Sequence, residues 1–394
     1  MNIEGHVEPG YERLREAFAA GQANDPGGAQ FCVYRRGREI ASLATGRDTV
    51  RNQPYTEDTL SVIMSCSKGI TATAAHMLVE KGAIDPDAPV TRYWPEFGAS
   101  GKSDIRVHHL LSHSAGLMGF GPELGVKVRD LLDWTRCTRA LETMAPLWPP
   151  GTASAYHAVT YGYLIGEVIR RVSGKSVGRF VADGMAGPLK LELWIGLPES
   201  EEPRVAPQVS ARPDGSEEQM RALFSGLGMD LEDRTVRTLL AAIAGMAEAQ
   251  TLLNSPEGHA VEIPAANAVG NAKSLARLYA ATIGEVDGIR LLSQATVDRA
   301  RAPRTDDLPS PAPLAKLPPP PRFGLGYELN RMVVPMLGEG SFGHAGAGGR
   351  LGFAHPESGI AVAFVSSRMD WDGISGPDAR WVPWLEALAE IAKR

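Results

Sequence analysis

The stretch SCSKGITATAAHMLVEK, residues 65–81, decides how this chain is read. Its small and apolar side chains recur at helical spacing, and it stops at Gly82 just before the turn Asp85-Pro86-Asp87, as a helix should. On a helix, positions i and i+3 share a face, so Lys68 comes within reach of the Ser65 hydroxyl. An amine placed there can activate a serine as a nucleophile. A serine in the first turn also lies at the positive end of the helix dipole, where backbone N–H groups can meet a developing oxyanion.

Outward from this helix, residues 11–20 (YERLREAFAA) carry a second helical pattern. Residues 31–34 and 40–43, split by Arg35-Arg36-Gly37-Arg38, predict a β-hairpin, so the chain opens helix, strand, strand. Helical patterns then dominate at 107–111, 128–136, 161–172, 176–183, 236–253 and 272–283. Strand patterns return at 326–329, 349–354 and 360–366, and residues 379–392 close the chain as an amphipathic helix. This order predicts an α+β fold in which both ends of the chain build one mainly antiparallel sheet flanked by helices. The expected division is an α/β unit from residues 1–80 and 255–394, with an all-helical insertion at 81–254. Two segments read as loops: the Pro-punctuated 199–215, and 302–322 with eight prolines. The latter is either a lid or a rigid surface connector.

Composition narrows the function classes. With 394 residues, 43% hydrophobic and 22% charged, the chain has the make-up of a globular protein with a large core. Forty Lys and Arg against 46 Asp and Glu give a net charge of −6, which argues against nucleic acid or an anionic membrane as a partner. Three scattered cysteines, Cys32, Cys66 and Cys137, make neither a disulfide framework nor a zinc motif, and fit a reducing compartment. The first residues lack the basic and apolar regions of a signal peptide. The apolar run 238–253 contains Glu248 and is too short to span a bilayer, so it predicts a core helix. A cytoplasmic location is expected. His109 and His113 are four apart, but no Glu follows His109 and no third ligand is evident, so neither metal nor cofactor is expected.

Two further elements bear on chemistry. Tyr156 follows the loop signal Trp148-Pro149-Pro150-Gly151 and precedes a helix, a position from which a phenol can be presented to a site. His344, in GHAGAGG just before a strand pattern, stands among residues small enough to admit a ligand close to the backbone. Ser176 fits Gly-x-Ser-x-Gly, but a helix rather than a strand precedes it, so it reads as a turn residue. The same Gly-Lys-Ser is no phosphate loop, since Ile169 stands where a glycine is required. Cys66 does not share the Ser65/Lys68 face and reads as a small buried residue.

In this order the elements resemble the serine β-lactamase and penicillin-binding-protein superfamily, and within it the class C β-lactamase-like family VIII carboxylesterases. The resemblance runs through DTLSVIMSCSKGITATAAHMLVEKGAIDPDAPVTRYWPEF, VHHLLSHSAGL, WPPGTASAYHAVTYGYLIGEVIRRVSGKS, NAKSLARLYA, RFGLGYELN and FGHAGAGGRLGFAHPESGIAVAFVSSR. It implies a serine β-lactamase-like fold, Ser65 as acylated nucleophile, and Lys68 and Tyr156 as the proton-handling pair. It also implies an oxyanion hole formed by the N–H groups of Ser65 and Ala347. His344-Ala345-Gly346 stands where β-lactamases carry Lys-Thr-Gly, and Ala158 where they usually carry Asn. Both departures weaken β-lactam recognition and leave ester hydrolysis intact. The function implied is therefore a serine carboxylesterase acting on small, short-chain esters. The alternatives are a β-lactamase, D-aminopeptidase or acyltransferase of the same superfamily, and more remotely a non-catalytic ligand-binding protein. His344 and Gly346 are expected to line the pocket, with His344 able to assist deacylation. Arg350 and His157 either line it too, or serve as a surface arginine and a loop-packing histidine.

Overall fold

The computed structural model describes residues 2–210 and 217–394. At its centre is a seven-stranded, wholly antiparallel sheet. Its strands are β1 (Ile3–Val7), β2 (Ala29–Arg35), β3 (Arg38–Thr45), β4 (Glu328–Leu329), β5 (Phe342–Gly346), β6 (Arg350–His355) and β7 (Ile360–Ser366), in the order β1-β3-β2-β7-β6-β5-β4. The seam between the two ends of the chain is β2 against β7, with Val33 opposite Val362 and Phe31 opposite Phe364.

Alternation in β7 shows how the sheet is covered. Ile360, Val362 and Phe364 join Phe31, Val33, Trp381 and Trp384 in one core, under the packed helices α1 (Arg13–Gln22) and α5 (Val382–Ala392). Ala361, Ala363 and Val365 point to the other face, into a larger core beneath α2 (Cys66–Glu80) and α4 (Ala272–Ile283). Successive strand residues face opposite ways, so the alanines lie together and let α4 approach closely. That core continues into α3 (Thr160–Ser173) through Tyr161, Leu164, Ile165 and Val168.

The helices at 107–111 and 272–283 and the strand at 360–366 stand where the sequence places them. Several expectations need correction. The chain opens with strand β1, which pairs β3 along the sheet edge, rather than with a helix. The expected helix at 128–136 is a 3-10 turn (Val128–Leu132) followed by a helix at Trp134–Thr143, because Asp133 is extended and its carboxylate accepts from Arg136 N at 2.9 Å, capping a new start. The run at 236–253 divides at Gly245 into Arg234–Ala244 and Met246–Leu253, and the second piece has no buried residue, so it is no core helix. The loop expected at 199–215 contains a 3-10 helix, Glu199–Arg204, and a short strand, Val209–Ser210; its remainder, 211–215, lies outside the described residues. Among the described residues no helix is long and apolar enough to cross a membrane, and no cluster of three or more His, Cys, Asp or Glu is placed to hold a metal.

Candidate active site

Ser65 stands at the N-cap of α2, yet its side chain makes no capping hydrogen bond, so the hydroxyl is left for other partners. Met64 before it adopts φ +51°, an uncommon conformation for a side-chain-bearing residue that turns the chain sharply into the helix. Ser67 fixes this corner: its hydroxyl donates to Met64 O and accepts from Ala268 N at 3.0 Å.

One turn on, Lys68 is fully buried. Its Nζ donates to Ser65 Oγ at 3.2 Å and to Ala265 O at 2.8 Å, and lies 4.7 Å from the centre of the Tyr156 ring. Burial opposes the charged ammonium and brings Lys68 down to about 7, with the Glu328 carboxylate acting in the opposite direction. The Tyr156 phenol moves the other way: burial pushes it well above its ordinary value, while its hydrogen bond with Ser65 partly counteracts this. At neutral pH the site thus holds a neutral phenol beside an amine whose proton affinity burial has lowered towards the neutral range.

The loop presenting Tyr156 is held from behind. His113, at φ +58°, accepts from His157 N at 3.0 Å through Nδ1, and its carbonyl accepts from Ala155 N at 3.2 Å. His157 donates from Nδ1 to Ala155 O at 2.7 Å and accepts from Leu117 N at 3.0 Å through Nε2. Both of its nitrogens are used within the protein and burial brings it down to about 4, so it is a neutral packing residue of the loop and not part of the pocket wall. His109 is likewise engaged, accepting from Arg106 N. The Tyr156 ring stacks on Phe323 at 6.0 Å with 2° between planes.

The third wall is β5, which contains His344 and Gly346 instead of preceding the strand. A side chain at Gly346 would place its Cβ 2.5 Å from Ile63 O, so only glycine lets β5 pass this close to the corner that carries Ser65. The buried Cys66 thiol donates to His344 O at 3.2 Å and couples α2 to β5. Burial pushes that thiol up to about 12, in keeping with an inert packing group. His344 is buried; Nδ1 donates to Ala345 O at 2.6 Å, and burial first, then nearby Lys68, lower it to about 3. It presents a neutral ring where a lysine would present a cation.

Ser65, Tyr156, His344, Gly346 and Ala347 surround a cavity of about 300 Å³, closed further by Pro321, Glu328, Arg331 and Trp371. Pro321 belongs to the proline-rich segment, which is tied to the Tyr156 loop by Ser154 N donating to Pro309 O at 3.0 Å. Arg350 is absent from this wall: it is fully buried behind the turn that carries Ala347. Neither expected place, the pocket wall or the surface, is the one it occupies. Ser176 lies apart, as the N-cap of a short helix whose hydroxyl accepts from Arg179 N and donates to Glu262.

Two residues that sequence reading missed belong here. Ala265 offers only a carbonyl, which no side-chain pattern reveals. Glu328 is buried in β4; it accepts from Ala345 N at 2.9 Å and from Arg331 Nε at 3.0 Å, and burial raises it while Arg331 holds it down. Its one sequence signal is a carboxylate between Tyr327 and Leu329 inside a strand pattern.

Known proteins resemble this chain along most of its length. The Beta-lactamase family model matches residues 14–382. The chain is 35% identical to Esterase/beta-lactamase LipL of Mycobacterium tuberculosis over 377 residues, covering 93% of this chain and 83% of that protein. It superposes on a family VIII carboxylesterase with a TM-score of 0.84 at 31% identity, covering 99% of this chain and 100% of the other. For a penicillin-binding-protein homologue from Caulobacter crescentus the TM-score is 0.83 at 32% identity, with the same coverage. A serine with its lysine one helical turn away, at the junction of an antiparallel sheet and a helical region, is thus seen in a chain that belongs to the beta-lactamase family and is a serine hydrolase.

Proposed function

We propose that the protein is a serine carboxylesterase that hydrolyses short-chain carboxylic esters through an acyl-enzyme on Ser65. The observation that carries this reading is the buried Lys68 amine, 3.2 Å from Ser65 Oγ, whose burial lowers its proton affinity. Burial favours the neutral amine and disfavours a Tyr156 phenolate, so Lys68 takes the Ser65 proton and Tyr156 relays it. Oγ attacks the ester carbonyl, the N–H groups of Ser65 and Ala347 hold the oxyanion, and the alcohol leaves with the relayed proton. Water then attacks the acyl-enzyme by the same route in reverse.

Substrate size and charge follow from the wall. A cavity of about 300 Å³ suits a small ester. His344 presents a neutral ring in place of a lysine, the arginine of the wall, Arg331, is already paired with Glu328 at 3.0 Å, and Ala158, outside the wall, supplies no amide where β-lactamases usually carry Asn. Purified protein is expected to hydrolyse p-nitrophenyl acetate and butyrate, and to turn over a chromogenic cephalosporin far more slowly. Ser65→Ala should abolish ester hydrolysis while Ser176→Ala keeps most of it. Activity surviving Ser65→Ala, or equal efficiency on both substrate types, would overturn the reading.

A further inference from the structure

Behind the cavity the chain makes the turn Gly346–Gly349, and three consecutive carbonyls of this turn are each held by a side-chain donor. Arg350 Nη1 donates to Ala347 O at 2.9 Å, Arg380 Nη2 to Gly348 O at 2.6 Å, and Trp381 Nε1 to Gly349 O at 2.9 Å. Arg380 is itself fixed by two buried carboxylates, Asp25 at 2.8 Å and Asp378 at 2.6 Å. The turn is built around these donors. At Gly349 (φ +101°) a Cβ would lie 2.0 Å from Asp378 Oδ2 and 2.2 Å from Arg380 Nη2, and at Gly348 (φ +78°) a Cβ would lie 2.4 Å from Arg350 Nη1.

Arg350 differs from the other two donors. Arg380 has two carboxylate partners and the indole of Trp381 is neutral, but Arg350 is a fully buried guanidinium whose Nε and Nη2 meet no hydrogen-bond partner among the described residues. The carboxylate nearest in influence, Asp378, is already shared with Arg380. Burying a cation this way is unfavourable unless something offsets it. Among the described residues its side-chain hydrogen bond goes to Ala347, whose N–H the proposed function sets at the oxyanion beside Ser65.

We propose that Arg350 is a positioning residue for the oxyanion hole: by gripping Ala347 O it aims the Ala347 N–H, and its uncompensated charge favours negative charge developing on the other side of that residue. The claim rests on the acyl-enzyme reading and adds to it a named determinant of transition-state stabilisation. Arg350 touches neither substrate nor Ser65, so its effect falls on the transition state and not on ground-state binding.

The test compares wild type with Arg350→Lys, Arg350→Met and Trp381→Phe, each checked for folding by circular dichroism and thermal melting. Two readouts are used: steady-state hydrolysis of p-nitrophenyl butyrate, and the rate at which a fluorophosphonate labels Ser65, which needs the same oxyanion donors. Arg350→Met is expected to lower kcat and the labelling rate by about 10²-fold with KM changed by less than about twofold, the loss associated with a misaimed catalytic group. Arg350→Lys keeps the charge and should recover about tenfold of that loss. Trp381→Phe removes one bond of the clamp and should lower both rates by about three- to tenfold with the same unchanged KM, which keeps the test decisive if Arg350→Met fails to fold. Folded variants with wild-type labelling rates, or with the whole loss in KM, overturn the proposal. A wild-type protein whose Ser65 is not labelled at all overturns instead the acyl-enzyme reading on which it stands.

Discussion

Replacing Lys68 by methionine tests the electrostatics of the site through stability alone, with no substrate. Lys68 is fully buried, and its fall from 10.5 to about 7 arises first from burial. At roughly 1.4 kcal/mol per pH unit, this corresponds to at most about 5 kcal/mol of native-state preference for the neutral amine. Above pH 10.5 the lysine is neutral in both states, and below about pH 7 it is charged in both. Between those limits the unfolded chain binds a proton that the native protein does not, so native stability rises with pH across the window. Methionine has similar length and no charge, and removes the effect. The stability of wild type minus that of Lys68→Met should therefore increase by up to about 4 kcal/mol between pH 6 and pH 10, the rest of the effect lying above pH 10. At pH 6 the methionine variant should be the more stable of the two. Urea unfolding followed by tryptophan fluorescence at several pH values measures both quantities, and other titrating groups cancel in the difference. A difference that stays level within about 1 kcal/mol across that range would refute the account of Lys68 as a buried amine with a depressed proton affinity.

Two other perturbations follow from the same geometry. Because Glu328 opposes the depression of Lys68, Glu328→Gln should move the rising limb of the pH profile of kcat/KM, expected near pH 7 in the wild type, downward by about one pH unit; an unmoved or raised midpoint in titrated p-nitrophenyl butyrate assays would contradict the coupling. At Gly69 a Cβ would lie 2.1 Å from the buried Tyr279 hydroxyl, so Gly69→Ala should destabilise by about 1–3 kcal/mol and Gly69→Ala with Tyr279→Phe should regain most of it in thermal melts.

What could be read in the sequence was what local spacing encodes. The i, i+3 pair Ser65 and Lys68 sits on one face of α2 whatever surrounds it, and the alternation in residues 360–366 marks a strand whose neighbours fill both faces. Tyr156 was legible for a similar reason, since prolines and a glycine announce the loop that presents it. The roles of Arg350 and His157 were not. Whether such a side chain meets solvent, substrate or backbone depends on partners far along the chain: Leu117 and His113 for His157, and for the turn that Arg350 grips, the clamp residues Arg380 and Trp381 some thirty positions on.

Strand β5 shows most sharply where local reading ends. Its sequence, FGHAG, has two glycines, no β-branched residue and little strand preference, so a strand pattern is found only after it. The segment is held extended by β6, with His344 opposite Gly352 and Gly346 opposite Arg350, by the Glu328 carboxylate on Ala345 N, and by the Cys66 thiol on His344 O. The glycine that weakens the strand is also the one that allows it within 2.5 Å, by Cβ, of the carbonyl two residues before Ser65. A side chain better suited to a strand at 346 would force the turn at 346–349 away from Ser65. Local preference and the needs of the site are therefore opposed at this position, and long-range contacts decide it. Such conflicts are expected where a backbone serves chemistry and not stability alone. It follows that Glu328 and Cys66, which hold β5, and the clamp on Ala347, Gly348 and Gly349, which holds the turn after it, shape the proposed site together with Ser65, although no local signal in the sequence distinguishes them from ordinary core residues.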